Sequence, residues 1–381
     1  MNHPQESDPF ASIRPYHDAE VPAVIAGLAR DPAFARSLSL IRLPRTSALW
    51  PWLARRIVQA WLVRQAREVR SIEEFQNLVE PQLSQIIERT SQFTIGGLAA
   101  LDPKQCYVFV SNHRDIAMDP AYANYALKRA GHRTSSVAIG DNLLKEPWIS
   151  DVMRLNKSFI VRRELKGPRE LLAASKQLAG FIRHMVIDDR GPIWIAQREG
   201  RAKTGIDATE PAVIKMLALS RSKGEEVGRV LQSLKIVPLS ISYELDPCDG
   251  MKAAELVAGA GYIKAEGEDI ASIGQGIAGE KGRVHLEFGT PIVSDDLSIE
   301  SVVAEIDRQV IEHYALFPSN VWAWERLNGV SLDGLIDYRR AGSVTHQAIF
   351  DARIAAIPDD QQKWVLAMYA NPVNSLLARG L

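Results

Sequence analysis

Apolar runs alternate with amphipathic stretches through the middle of the chain. Short runs of β-branched and aromatic residues that end in polar residues predict buried strands at residues 106–113, 135–140, 158–163, 192–200, 235–244 and 283–289. Helical periodicity separates most of these runs, for example over residues 169–188 and 212–223. Strands that alternate with helices predict an α/β fold, in which ligands bind at the ends of strands.

Both flanks of this region are predicted to be helical. Residues 72–93 form an amphipathic stretch, and a boundary follows at Gly96 and Gly97. The segment 267–282 is rich in glycine and is predicted to be a loop. Its G-x-G-x-x-G pattern does not indicate a dinucleotide site, because the preceding strand and the following helix of such a site are missing. The chain therefore divides into three predicted regions, helical at both ends and α/β between them, with bounds at residues 1–96, 97–316 and 317–381.

The segment 42–70 combines arginine and tryptophan at unusual density. It contains seven arginines, one acidic residue and three of the eight tryptophans. At 100° per residue, one helical face is apolar and the opposite face is basic: Trp50, Ile57, Val58, Trp61 and Leu62 against Arg56, Arg64, Arg67 and Arg70. Such a helix lies in a membrane interface or docks its apolar face on the rest of the protein, and the pattern leaves both explanations open.

Charge and composition narrow the range of partners. Forty-five Lys and Arg residues against 46 Asp and Glu residues give a net charge of −1, so we expect no nucleic-acid partner. The two cysteines, Cys106 and Cys248, are too few for a disulfide framework or a zinc site, and we expect no metal. The chain has no apolar run of about 18 residues and no secretory signal pattern. We therefore expect a cytoplasmic protein, peripherally associated with the cytoplasmic face of the membrane.

The predicted strand at residues 106–113 ends in a group of reactive side chains. His113 is followed by the carboxylates Asp115 and Asp119. A histidine can remove a proton from an alcohol, and a carboxylate on its other ring nitrogen fixes the tautomer. Because no serine or cysteine nucleophile is evidently paired with it, the base would activate a hydroxyl of the substrate. The alternative is a structural hydrogen bond between histidine and aspartate.

Three other predicted strands also end in informative residues. Phe159 and Arg162 belong to the run Phe-Ile-Val-Arg, and Arg201 and Lys203 follow Arg198-Glu199-Gly200. Arginine at a strand end can form a bidentate pair with phosphate, so these cations predict a phosphate site near the histidine. Each cation could equally form a surface ion pair. A fourth strand contains Pro238 in Val-Pro-Leu.

In this order, the segments resemble the glycerolipid acyltransferase family, of the 1-acylglycerol-3-phosphate acyltransferase type. The family signature is Asn-His-x4-Asp, Phe-Ile-x-Arg, Glu-Gly-x-Arg and a Val-Pro strand, and the resemblance spans roughly residues 107–239. It implies an α/β acyltransferase fold, with a central mixed sheet flanked by helices. It also implies transfer of an acyl group from a coenzyme A or carrier-protein thioester, a co-substrate rather than a cofactor, to a glycerophosphate-type hydroxyl.

The resemblance assigns roles to individual residues. It implies that His113 is the general base and Asp119 the carboxylate that orients it. The residues expected to bind substrate are Asn112, Arg114, Asp115, Phe159, Arg162, Glu199, Gly200, Arg201, Lys203 and Pro238. This sequence departs from the family in two ways: five residues separate His113 from Asp119, and no residue separates Gly200 from Arg201. The first departure leaves Asp115 as the alternative orienting group, although Pro120 favours Asp119.

The predicted function is acyl transfer to lysophosphatidate or glycerol 3-phosphate in phospholipid synthesis, with a lipid acceptor and the membrane surface as partners. Two alternatives remain open from sequence. A hydrolase would use His113 to activate water against the same thioester. A noncatalytic protein would bind lipid surfaces through the Arg/Trp helix.

Overall fold

The computed structural model describes residues 8–163, 165–265, 267–294, 297–332 and 347–380. Their strands are β1 (Ser91–Gly96), β2 (Val108–Ser111), β3 (Ser136–Gly140), β4 (Ser158–Val161), β5 (Ile193–Ala196), β6 (Ile236–Tyr243) and β7 (Gly282–Phe288). Their helices are α1 (Val21–Arg30), α2 (Pro32–Arg42), α3 (Pro44–Leu49), α4 (Pro51–Glu68), α5 (Ile72–Thr90), α6 (Met118–Arg129), α7 (Pro147–Leu155), α8 (Pro168–Ile187), α9 (Pro211–Ala218), α10 (Val227–Ser233), α11 (Asp249–Ala258), α12 (Glu268–Ala278), α13 (Ile299–Glu312), α14 (Pro318–Asn328), α15 (Gln347–Ala355) and α16 (Asp359–Leu377).

The chain folds into two units that interleave along the sequence. The smaller unit is formed by Met1–Gln82 and Ser136–Phe181, and the larger unit by Leu83–Ser135 and Ile182–Leu381. The bounds predicted at residues 96/97 and 316/317 stay predictions.

The smaller unit is mainly helical, with β3 and β4 paired in parallel. One apolar face of α1, which includes Val21 and Ile25, is buried. It packs in one cluster with Val69, which follows α4, and Leu155 of α7. Each of the helices α1 to α4 has a proline in its first turn, where the missing backbone N–H costs no helical hydrogen bond.

The apolar face predicted for segment 42–70 is only partly buried in α4 and the residues before it. Val58 and Leu62 are buried, whereas Trp50 and Trp52 are more than half exposed and Ile57 is also exposed. Part of this face therefore packs on protein, and its N-terminal end faces solvent. The Arg42 guanidinium lies over the Trp61 ring at 4.1 Å, a cation–π contact.

The larger unit contains a mixed sheet in the order β1-β7-β6-β2-β5. The β6–β7 pair is antiparallel and the other pairs are parallel. In this register Ser111, the last residue of β2, is opposite Leu239 of β6 and Ala196 of β5. The loops after β2 and β5 therefore leave the same edge of the sheet, while β6 continues past that edge to Tyr243.

Helices pack on this sheet, and further helices follow at the C-terminal end of the chain. α13 packs on β6, where Ser240 Oγ donates to the Val310 carbonyl oxygen at 2.8 Å. The last helices, α14 to α16, share a buried cluster that includes Trp324, Phe350, Val365 and Tyr369. The prediction of an α/β fold with a central mixed sheet flanked by helices is confirmed.

All six predicted strands are present, but two expectations about local structure are wrong. The helix predicted to continue to Phe93 ends at Thr90, and β1 begins at Ser91 because this segment pairs with β7. The segment 267–282, predicted as a loop, contains α12. The segment forms a helix because its tertiary contacts outweigh the low helix propensity of its glycines.

Among the helices in the described ranges, none is both long enough and apolar enough to cross a membrane.

Candidate active site

The side chain of His113 lies two residues beyond the end of β2. Its Nδ1 atom is 2.8 Å from Asp119 Oδ2, and its ring lies edge-on to Trp194 with centroids 5.7 Å apart. The side chain is 14% exposed. No residue in the described part of the chain hydrogen bonds to its Nε2 atom. One ring nitrogen is thus held by a carboxylate, and the other is free to bind a substrate hydroxyl.

Asp119 is the most heavily bonded carboxylate of this region, and it is only 1% exposed. Its Oδ2 atom accepts the backbone N–H groups of Arg114, at 2.6 Å, and Asp115, at 2.9 Å, in addition to its contact with His113. Its Oδ1 atom accepts the hydroxyl of Tyr243 at 2.7 Å. The turn between His113 and Asp119 wraps its own amides around the carboxylate, so the extra residue in the motif is accommodated.

Asp115 has a different position. Its Oδ1 atom accepts the backbone N–H groups of Ala117, at 3.0 Å, and Met118, at 2.8 Å, and so caps the start of α6. Burial and the neighbouring charge of Asp119 raise the pKa of this carboxyl. Of the two carboxylates that the sequence offered, the structure places Asp119 at the imidazole.

Helix α12 closes tightly over Asp115. A methyl group added at Gly276 would lie 2.1 Å from Asp115 Oδ2, far inside van der Waals contact. Glycine at this position therefore lets the helix backbone reach the turn that contains His113. We call residues 113–119 the His113 turn.

Two residues predicted to bind substrate form hydrogen bonds or an ion pair with other residues of this chain. Asn112 is fully buried; its Oδ1 accepts Ile241 N–H at 2.7 Å and its Nδ2 donates to the Ile241 carbonyl at 3.0 Å. Arg114 is buried and pairs with Asp207 at 2.5 Å, with its guanidinium 5.2 Å from the centre of the Tyr314 ring. These contacts fix the start of the His113 turn, and direct contact of either residue with substrate stays a prediction.

Residues 198–203, which we call the Arg201 loop, lie beside the His113 turn. Ala202 N–H donates to the His113 carbonyl at 2.8 Å. Glu199 and Gly200 are exposed. The Arg201 guanidinium is buried; it donates to Ser272 Oγ at 2.7 Å and lies 3.6 Å from Glu255 Oε1.

Lys203 pairs with the other carboxylate oxygen of Glu255. The sequence gave no indication of Glu255, which lies on α11. Two cations of the third motif therefore share one buried carboxylate, and this group has a formal charge of +1.

The remaining predicted residues lie on strands or directly after one. Pro238 is buried in β6, opposite Val110 of β2. Phe159 is buried in β4, where its ring contacts Phe181 at 5.1 Å, and Arg162 follows that strand. Both belong to the smaller unit, so their contact with a substrate bound at His113 stays a prediction.

Tyr243, Asp207 and Glu255 are site residues that the sequence analysis did not identify. Tyr243 ends the apolar strand that begins at residue 236, so its position at a strand end was the available signal. Asp207 and Glu255 had no such signal. In the described ranges, no group of three or more His, Cys, Asp or Glu residues is arranged to hold a metal ion.

Comparisons with known proteins bear on this site. The family model described as Acyltransferase matches residues 92–206, which extend from β1 through the Arg201 loop. The resemblance derived from the motifs is thereby confirmed. No curated protein shows significant sequence similarity to the chain. Among solved structures, the chain is similar to the 1-acyl-sn-glycerophosphate (LPA) acyltransferase PlsC from Thermotoga maritima, with 13% identity, coverage of 77% of this chain and 96% of that chain, and a TM-score of 0.34.

Proposed function

We propose that this chain, which contains an Acyltransferase domain at residues 92–206, transfers a fatty acyl group from acyl-CoA or acyl-carrier protein to the hydroxyl of lysophosphatidate or glycerol 3-phosphate. The observation that supports this most directly is His113, with Asp119 on one ring nitrogen and no hydrogen-bond partner among the described residues on the other. That arrangement suits the deprotonation of an external alcohol. In the proposed reaction the thioester is a co-substrate and no cofactor is required.

The reaction requires one proton transfer in each direction. Nε2 of His113 takes the proton of the acceptor hydroxyl as its oxygen attacks the thioester carbonyl carbon, which forms the new C–O bond. The tetrahedral intermediate collapses with cleavage of the C–S bond, and the imidazolium returns the proton to the departing thiolate. Asp119 keeps the Nδ1 proton in place and stabilises the imidazolium. No covalent acyl-enzyme is needed.

The charge of the Arg201 loop supports an anionic acceptor. Arg201 and Lys203 contribute two positive charges, and Glu255 contributes one negative charge. Lys203 is 33% exposed, so it can reach a phosphate group in solution. Binding of the acceptor phosphate by Arg162, which the family resemblance implies, stays a proposal.

A panel of acceptors tests the reaction class and the headgroup together. Radiolabelled acyl-CoA and acyl-carrier protein are each incubated with glycerol 3-phosphate, lysophosphatidate or a phosphate-free lysolipid. We expect acyl ester on a phosphate-bearing acceptor, and loss of about 10²- to 10⁴-fold in kcat in the His113→Ala variant. Free fatty acid released at the same rate without any acceptor would instead establish a thioester hydrolase.

We further propose that the N-terminal helices bind the cytoplasmic membrane surface, where a lipid acceptor is found. The exposed indoles of Trp50 and Trp52 and the exposed side chain of Leu49 lie close in sequence to exposed Arg45 and Arg56. Indoles partition to the headgroup region and guanidinium groups bind lipid phosphates.

Vesicle co-sedimentation tests this surface. We expect the variant with both Trp50→Ala and Trp52→Ala to lose most of its binding to vesicles of phosphatidylglycerol and phosphatidylcholine. Trp364→Ala is the matched control, because Trp364 is an exposed tryptophan of α16. Equal sedimentation of the two variants would show that another surface, or none, binds lipid.

A further inference from the structure

The second oxygen of Asp119 depends on a residue outside the matched Acyltransferase region. Oδ2 of Asp119 is occupied by His113 and two backbone amides. Oδ1 accepts a hydrogen bond from Tyr243 at 2.7 Å, and the described part of the chain offers it no other partner. Asp119 and Tyr243 are both buried. Their hydrogen bond is therefore shielded from bulk water.

A second tyrosine beside Tyr243 has a different partner. The rings of Tyr122 and Tyr243 meet edge to face with centroids 6.1 Å apart. The Tyr122 hydroxyl donates to Ser91 Oγ at 2.7 Å. Two buried tyrosines of one aromatic cluster thus send their hydroxyls to different groups, and only Tyr243 reaches Asp119.

Tyr243 remains a donor at every pH at which the enzyme could work. Burial and then the charge of Asp119 raise the pKa of its phenol well above the ordinary value of 10. The charged or titratable groups that act on Asp119 or its neighbours include three buried cations and several acids: Arg114, Lys252, Lys281, Asp115, Asp207, Asp246, Tyr122 and Tyr314. Lys252 Nζ also donates to the Arg114 carbonyl at 2.6 Å.

We propose that Tyr243 is a positioning residue for acyl transfer, holding the Asp119 carboxylate so that Oδ2 stays directed at His113 Nδ1. This inference rests on the proposed function. A carboxylate with a bonded oxygen on each side cannot rotate about its Cβ–Cγ bond without leaving one buried oxygen unpaired, which is costly. The hydroxyl also withdraws charge from the face of the carboxylate that meets the imidazole.

Tyr243→Phe, compared with Tyr122→Phe, tests the proposal. In Tyr243→Phe we expect kcat to fall about tenfold, the order expected when a hydrogen bond to a charged group is lost, with KM for the acceptor unchanged. The acid limb of the kcat/KM profile should move to higher pH, because more carboxylate charge then faces the imidazole. Tyr122→Phe should keep wild-type kinetics within about twofold.

A double-mutant cycle separates positioning from packing. If Tyr243 acts through Asp119, adding Tyr243→Phe to Asp119→Asn should cost no further activity. If Tyr243→Phe does not fold, 3-fluorotyrosine at position 243 supplies the measurement. Its stronger donor should move the acid limb to lower pH.

Any of the following results would overturn the proposal: wild-type kcat and pH profile in Tyr243→Phe, equal loss in the two phenylalanine variants, or additive losses in the cycle. A fluorotyrosine enzyme with an unmoved acid limb would do the same. If the wild-type enzyme acylates no phosphate-bearing acceptor, the proposed function fails instead. The two failures are therefore distinguishable.

Discussion

The His113 turn and the Arg201 loop follow neighbouring parallel strands, yet they treat charge in opposite ways. In the His113 turn, backbone amides and the Tyr243 hydroxyl satisfy the Asp119 carboxylate, and one nitrogen of His113 has no hydrogen bond to any residue that the structure describes. In the Arg201 loop, the cations of the motif are bound by Glu255, a carboxylate from a helix about fifty residues away in sequence.

The comparison shows that the effect of a buried charge on its surroundings depends on the groups that bind it. A carboxylate held by neutral donors keeps its charge available to a neighbour, so Asp119 can stabilise an imidazolium. A cation held by a buried carboxylate is largely neutralised, so Arg201 contributes more to the structure than to the field at the site. Lys203, which is partly exposed, keeps an accessible charge.

The largest effect is expected when the two carboxylates of the His113 turn are changed separately. Asp119→Asn should lower kcat on the order of 10²- to 10⁴-fold, because an amide at this place no longer stabilises the imidazolium or fixes its tautomer. Asp115→Asn should retain activity within about threefold, since an amide oxygen can still accept from Ala117 and Met118 at the start of α6.

Steady-state kinetics with matched thermal melts check this pair. Comparable losses of kcat in Asp115→Asn and Asp119→Asn, with both proteins folded, would mean that the distance of 2.8 Å between His113 and Asp119 does not identify the orienting group.

An intermediate effect is expected on stability in the Arg201 loop. Glu255→Gln leaves the buried Arg201 guanidinium without its carboxylate, and breaking such a pair typically costs about 3–5 kcal/mol. Urea unfolding should show this loss, and Glu280→Gln, a change of an exposed glutamate, should be neutral. Equal midpoints for the two variants would show that Arg201 does not depend on Glu255.

The smallest effect concerns Lys281, a fully buried cation bonded to the Gly279 carbonyl at 2.7 Å and Thr90 Oγ1 at 3.2 Å. Burial lowers its pKa to about 8. Between about pH 8 and the ordinary lysine range, the unfolded chain therefore binds more protons than the folded one. This group should make the protein more stable as pH rises through that window, and its penalty is fully present below pH 8.

Lys281→Met should remove that rise. The difference in unfolding free energy between wild type and variant is measured by urea titration at pH 7, 8, 9 and 10. The lost hydrogen bonds add a constant offset, so the slope is the informative quantity. A difference that does not change with pH would contradict the lowered pKa.

Much of the fold was predictable, because the main strands are buried on both faces and appear in the sequence as continuous apolar runs. β6 is the clearest case, with all eight residues buried. β1 was missed because it lies at an edge of the sheet and follows a helix without a break, so only its pairing with β7 identifies it. α12 was missed because its glycines suit a loop locally, although Gly276 is required for contact with the His113 turn.

The site was predictable where motif residues are adjacent in sequence. His113 and Asp119 lie on one turn, and Pro120 correctly favoured Asp119 as the hydrogen-bond partner of His113. Tyr243, Asp207 and Glu255 come from distant segments, and only the three-dimensional fold brings them together. The sequence could reveal the cations of the Arg201 loop, but not the carboxylate that neutralises them.

The contact between Gly276 and Asp115 also limits how this enzyme can evolve. Even a methyl group at position 276 would overlap the Asp115 carboxylate oxygen, so any larger residue requires that carboxylate or the helix backbone to move. Variation at this one position of α12 is therefore tied to the geometry of the His113 turn. A lineage that acquires a larger residue there would have to accommodate it by a change in the His113 turn as well.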